Sequence, residues 1–233
     1  MGKNRFMFAS LLVGAVLVAG QFLLVQSLLS NGWLPDPMAI HWGFDGKPDG
    51  FSDAGAYSLF TTFAYVGLLG LLAYFGFGIK RRLLQPLLFG ITGFVMLFTF
   101  TLISVTTLMQ VGITAEEAVI QPWILIALLA IPLGMISLVH GAPKVVLGDD
   151  LRVQVRGITL LRLSFSELLS VELTQLRARD YGGLGIRYAR KTLAFVSTPG
   201  SGVLITTSFG ESVAVRSKNA EVLLAAIAAK IGK

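Results

Sequence analysis

The chain alternates between long apolar runs and short polar connections before it changes character. Four segments, Phe6–Leu29, Tyr57–Ile79, Leu83–Met109 and Val119–Val139, contain no Asp, Glu, Lys or Arg. At about 1.5 Å of rise per residue, ~20 residues of helix cross a hydrocarbon core of roughly 30 Å, so the pattern predicts four transmembrane helices. From about Pro143 the period falls to two. Leu151, Val153 and Val155 alternate with Arg152, Gln154 and Arg156, and Leu169, Val171 and Leu173 alternate with Ser170 and Glu172. Further short runs at 193–197, 203–207 and 212–216 are separated by turn-forming stretches at 180–185, 198–202 and 209–211. This pattern predicts six or seven antiparallel strands. Leu223, Leu224, Ile227 and Ile231 then recur at helical spacing, with Ser217 or Asn219 as a cap and Lys230 in the last turn. The expected organisation is a four-helix membrane domain over residues 1–142 and a small domain of antiparallel strands with a C-terminal helix over 143–233.

Composition agrees. Of 233 residues, 54% are hydrophobic and only 14% charged, against about 25% charged in an average soluble domain. The absence of cysteine excludes disulfides, thiolate metal sites and cysteine nucleophiles. Charge is unevenly spread: from Gly141 onward there are 13 Lys+Arg and 7 Asp+Glu, so the whole net charge of +6 lies in the last third. Lys3 and Arg5, the Lys80–Arg82 turn and the region after Val139 all fall on one side of a four-span topology. Basic residues are retained in the cytoplasm, which predicts an N-in, C-in, multi-pass membrane protein. The first segment exceeds the ~7–15 apolar residues of a signal peptide and lacks a small-x-small cleavage site, so it reads as a retained helix.

The stretch Trp33–Phe51, WLPDPMAIHWGFDGKPDGF, holds most of the candidate chemistry. It lies in a predicted extracytoplasmic loop, 30–56. Pro35, Pro37 and Pro48 oppose helix, and Pro48-Asp49-Gly50 signals a turn, so the loop is expected to be ordered. Pro35, His41, Asp45, Asp49 and Gly50 are the candidate ligand-binding residues. His41, Asp45, Asp49 and Asp53 would share a face only on a helix, which the prolines and glycines oppose. A calcium loop fails because Lys47 and Ala56 stand where oxygen ligands belong. No metal or cofactor is expected. Nor is a catalytic residue: His140 ends the fourth segment on the opposite side from His41, and no triad order or zinc-protease spacing occurs. Gly182-Gly183-Leu184-Gly185 precedes no helix and is not a nucleotide fingerprint. The basic residues Arg177, Arg179, Arg187, Arg190 and Lys191 are the candidate lipid contacts. Nucleic acid is not expected as a partner, since few aromatics interleave with them.

Residues 8–60, through Leu34-Pro35, Ile40-His41 and Gly46-x-Pro48-Asp49-Gly50, resemble a family of bacterial integral membrane proteins with no assigned activity, to which the immunity protein of the sporulation-delay toxin system is related. Trp42-Gly43 and Asp53 depart from that family's usual residues. The C-terminal region, through Ser166–Leu173, Arg179–Arg187 and Glu211–Leu223, is similar to bacterial pleckstrin-homology-like domains. That resemblance implies a small antiparallel β-barrel-like domain, a bent and nearly closed sheet plugged by the last helix. Together these readings predict a non-enzymatic sensor, regulator or scaffold of the bacterial inner membrane, with membrane lipids and a protein or peptide as partners. The alternatives are a small transporter or channel-like oligomer using the threonines of the third segment, and a membrane enzyme or metal site centred on His41 and Asp49.

Overall fold

A computed structural model describes residues 2–231. The chain divides into two compact units: one takes the residues up to Lys80 with Gln85–Ala130, the other Arg81–Leu84 with Ile131 onward. In the first unit, α1 (Gly2–Ser30) leads through a hairpin of β1 (Met38–Trp42) and β2 (Pro48–Ser52) into α2 (Ala54–Ala73). The last turns of the second apolar segment widen into a π-helix, Tyr74–Gly78. Then come α3 (Leu84–Leu108), a 3-10 turn at Ala115–Glu117 and α4 (Pro122–Val139), which runs on through Pro132.

Three helical segments, Arg5–Ser30, Ala54–Gly78 and Leu84–Leu108, are long and apolar enough to cross a membrane. α4, at 18 residues, is the shortest of the four apolar helices. Large apolar side chains such as Phe8, Leu12, Val16, Phe60 and Phe63 point outward, as expected of helices that face lipid rather than a solvated surface. Met7, Val18, Tyr65, Leu72, Phe89 and Met96 form the core where α1, α2 and α3 meet. Polar side chains tie these helices together: Gln26 Nε2 donates to Ser58 Oγ at 3.0 Å, Ser104 Oγ to Gln21 Oε1 at 2.8 Å, and Tyr65 Oη to the Thr99 carbonyl at 3.1 Å. Thr99, Thr101 and Thr106 instead donate to their own helix, at the carbonyls of Val95, Leu97 and Leu102. The O–H of each is therefore satisfied within its own helix.

The second unit carries eight strands among the described residues. β3 (Pro143–Leu147), β4 (Asp150–Val155) and β5 (Ile158–Ser164) form a three-stranded antiparallel sheet. β6 (Leu168–Leu176), β7 (Gly185–Ala189), β8 (Thr192–Val196), β9 (Gly200–Thr207) and β10 (Ser212–Arg216) form a second sheet, ordered β6-β9-β10-β8-β7. Two expectations need correction. No closed barrel forms, because the strands divide between two sheets. The pairing is not wholly antiparallel either: β10 lies between β9 and β8 and runs parallel to β8, with Val213 beside Leu193 and Val215 beside Phe195. Alternation of apolar residues is the same for either direction of pairing, so it identifies strands without orienting them.

The alternation in β4 is realised as read, with Leu151, Val153 and Val155 buried. In β6 it is not. Leu169 and Leu173 are at least half exposed, and the strand is anchored by Leu168 and Leu176 instead. β6 is an edge strand, where only one flank is paired. α5 (Ala220–Ala228) closes the chain with Ile227 fully buried. Asn219 occupies its N-cap position without a side-chain capping bond; Ser217 Oγ accepts the Asn219 N–H at 3.2 Å. Lys230 Nζ donates to the Gly148 carbonyl at 2.8 Å and lies over the Phe165 ring.

Candidate functional site

The loop between α1 and α2 is a built structure. Its anchor is Gln110, just beyond α3 and fully buried. The Gln110 side chain takes the place of a neighbouring strand: the Ala39 N–H donates to its Oε1 at 2.7 Å, while its Nε2 donates to the Ala39 carbonyl at 3.0 Å and the Thr106 carbonyl at 2.9 Å. A primary amide matches a peptide group donor for acceptor, which lets the buried backbone of β1 be satisfied by a side chain. Trp42 Nε1 donates to the Ala118 carbonyl at 2.5 Å. At the hairpin tip, Gly46 has φ +78°, and its carbonyl accepts the Ile120 N–H at 2.9 Å. A methyl group on Gly46 would run into the Ile120 carbonyl oxygen, so only glycine fits both the turn and the approach.

On this frame His41 Nδ1 meets Asp49 Oδ1 at 2.5 Å across the two strands, both side chains more than half exposed. Gly50 stands opposite His41 in the register, where a Cβ would lie 2.9 Å from the His41 Cβ. The other carboxylates have separate local roles. Asp45 Oδ1 accepts the Lys47 N–H at 3.1 Å within the turn, Asp53 Oδ1 caps α2 by accepting the Ala56 N–H at 2.7 Å, and Asp36 Oδ1 accepts the Ala54 N–H at 3.2 Å. Pro35 is half-buried and directly precedes the cis Asp36–Pro37 bond. Among the described residues no three of His, Asp or Glu gather as a metal site. The tip also presents Phe44, entirely exposed, with Ile40 and Phe51 partly so. On the short α3–α4 link, Glu117 accepts the Thr114 N–H at 2.9 Å. Hydrogen bonds from Thr114 hold that carboxyl below the usual carboxylate range.

A second cluster is formed where Arg81–Leu84, the connection between α2 and α3, folds with the sheet-rich unit. Glu211, on the turn between β9 and β10, is buried and accepts the Leu83 N–H at 3.0 Å and the Tyr188 hydroxyl. The carboxylate thus satisfies a buried backbone N–H in the connection that precedes α3. Burial, then the hydrogen bond to Glu211 and that carboxylate's charge, push the Tyr188 hydroxyl up to about 12, with Arg81 opposing. Arg82 pairs with Glu167 and lies over the Phe209 ring, 4.7 Å from its centre.

The basic residues read as lipid contacts are only partly gathered. Arg190 and Lys191 are the two-residue turn between β7 and β8, with φ +50° and +66°. Arg187, on β7, donates Nη1 to the Ile186 carbonyl at 3.1 Å. Arg177 and Arg179 begin the 3-10 turn at Ala178–Tyr181, where Arg179 Nε lies 3.8 Å from Asp180 Oδ1. Burial raises Tyr181 above the usual phenol range, with Asp180 adding to the effect.

Residues 16–64, spanning the second half of α1, the hairpin and the first half of α2, match the Domain of unknown function (DUF1648). With three apolar helices able to cross a bilayer, the class of the chain follows. It is a membrane protein. No curated protein and no solved structure matches it. The matched region contains Pro35, His41, Asp45, Asp49 and Gly50 but ends before Gln110 and Glu211, the two buried residues that organise the clusters above. Sequence reading passed over both. Gln110 ends an apolar run like any polar flank, and Glu211 sits in a predicted turn. A single polar residue at the margin of an apolar run was the only signal available.

Proposed function

We propose that this protein is a non-enzymatic regulator or scaffold of the bacterial inner membrane. In this reading α1 to α4 all span the bilayer, N-in and C-in. The α1–α2 hairpin is a recognition element on the outer face, and the sheet-rich unit works on the inner face against lipid or protein. The observation that carries the reading is the placement of polar chemistry. From Phe6 onward the three membrane-capable helices contain no charged residue, while an ordered hairpin and a buried carboxylate cluster lie beyond their ends. Ion-coupled carriers place ionisable groups within their spans. The resemblance of the hairpin to a family related to a toxin-immunity protein favours an external peptide or protein as its partner. The fully exposed Phe44 beside the His41–Asp49 pair is the surface such a partner would meet. Glu211 supports a role in regulation, since it fixes the α2–α3 connection to the sheet-rich unit.

Single cysteines test the arrangement, because the chain has none of its own. In intact cells, a membrane-impermeant maleimide is expected to label Phe44→Cys and to leave Arg179→Cys unlabelled until the cells are opened. Labelling of Arg179→Cys in intact cells would refute the assignment of faces. Turnover of a lipid or peptide by the purified protein would refute the non-enzymatic role.

A further inference from the structure

A cleft of about 590 Å³ in the sheet-rich unit is lined by His140, Lys144, Ser197, Thr198, Arg216 and Lys218, among others. Three of these carry fixed positive charge and two carry hydroxyls, and no carboxylate lines the cleft among the described residues. The fold brings them from distant points in the chain. Lys144 lies on β3, Ser197 and Thr198 follow β8, Arg216 ends β10 and Lys218 precedes α5. His140 follows α4, and its Nδ1 donates to the Ile136 carbonyl at 2.9 Å. A carbonyl oxygen only accepts, so Nδ1 bears the hydrogen and Nε2 is the ring's other polar atom.

Arg216 is held in place rather than loose. Its Nη1 donates to the Ser201 carbonyl at 2.7 Å and to the Ser217 carbonyl. The guanidinium rests on Gly200, at φ +139°, where a Cβ would come within 2.8 Å of Nη2 and 2.9 Å of Nε. The Arg216 Nε is buried, and among the described residues no acceptor reaches it. In the same unit Arg152 and Arg162 both pair with Asp150, and Arg82 with Glu167. Among the described residues no carboxylate lies within ion-pair distance of Lys144, Arg216 or Lys218. Three like charges drawn to one concavity are what an anion would stabilise.

We propose that this cleft binds a phosphate group, carried either by a phospholipid headgroup or by a small soluble phosphomonoester. Phosphate suits the donors better than a carboxylate, because guanidinium, two ammonium groups and the hydroxyls offer more hydrogens than two oxygens can accept. The volume leaves space for the glycerol that adjoins the phosphate in a glycerophospholipid or in glycerol 3-phosphate. The proposal does not depend on which face of the membrane the unit occupies; the lipid source alone rests on α4 being a span that ends beside His140.

The test uses the purified full chain in maltoside micelles, titrated calorimetrically with glycerol 3-phosphate and separately with short-chain phosphatidic acid. Binding of both identifies the phosphate group as sufficient, and binding of phosphatidic acid alone identifies a lipid headgroup. Lys144→Gln/Lys218→Gln is expected to weaken the affinity about 30-fold, roughly fivefold for each lysine. Both lysines are exposed, so the variant keeps the wild-type melting temperature. Arg162→Gln, on β5, exposed and outside the cleft, is expected to change the affinity less than about twofold. No binding of either probe, or equal loss in the two variants, would overturn the proposal.

Discussion

Replacing Glu211 by alanine isolates what holds the α2–α3 connection to the sheet-rich unit. The carboxylate accepts the Leu83 N–H at 3.0 Å and the Tyr188 hydroxyl, and both Glu211 and Leu83 are almost fully buried, at 2% and 3% exposure. Hydrogen bonds to a charged group contribute about 1.5–3 kcal/mol each, and a buried donor left without an acceptor costs a similar amount. Loss of both partners therefore destabilises this contact by about 3–5 kcal/mol. Glu211→Gln keeps one acceptor oxygen and nearly the same shape, so about half of that is expected. The neighbouring pair Arg82–Glu167 is more exposed, and Glu167→Gln is expected to cost under about 1 kcal/mol. The readout is hydrogen–deuterium exchange of the Leu83 amide in micelles. At ~1.4 kcal/mol per tenfold, Glu211→Ala is expected to speed that exchange by about 100-fold or more, with Glu211→Gln intermediate and Glu167→Gln near wild type. Exchange in Glu211→Ala within about threefold of wild type would refute the assignment, since the N–H would then have another source of protection.

Tyr188 supplies a pH-dependent counterpart. Its folded-state value is raised to about 12 from the usual 10.0, so its contribution is complete below pH 10 and is lost as pH rises through 12. Exchange of the Leu83 amide, corrected for its intrinsic base catalysis, should increase over that window in wild type and not in Tyr188→Phe; the same slope in both would refute the linkage. Gln110→Ala leaves the buried N–H and carbonyl of Ala39 without partners and is expected to lower stability by about 3–5 kcal/mol, read as a fall in melting temperature in micelles. An unchanged melt would show that the hairpin does not need this anchor. Arg190 and Lys191 hold positive φ in a two-residue hairpin turn, where Asn-Gly is preferred. Arg190→Asn/Lys191→Gly should therefore stabilise the sheet-rich unit by about 1–2 kcal/mol, and a lower melting temperature would contradict that reading of the turn.

The local patterns of the chain determined a good deal. An uncharged run of 20 residues or more has few fates other than a helix in lipid, because its backbone must satisfy itself and its side chains have nothing polar to offer water. The Pro- and Gly-rich loop had to be non-helical and turned, and it is a hairpin. Val153 and its neighbours had to be a strand with one covered face. All of these follow from interactions between residues a few positions apart. The tertiary structure decided what depends on distant partners. Gln110 meets Ala39 across 71 positions and Glu211 meets Leu83 across 128, and nothing in either residue's own neighbourhood marks the pairing. β10 could enter the sheet parallel to β8 because alternation carries no direction. Leu169 and Leu173 remained outside because burial in a strand depends on what lies over it, and β6 is an edge. The cleft beside Arg216 is of the same kind. Its polar residues span His140 to Lys218, and they become one electrostatic site only when the ends of three strands and α4 are brought together.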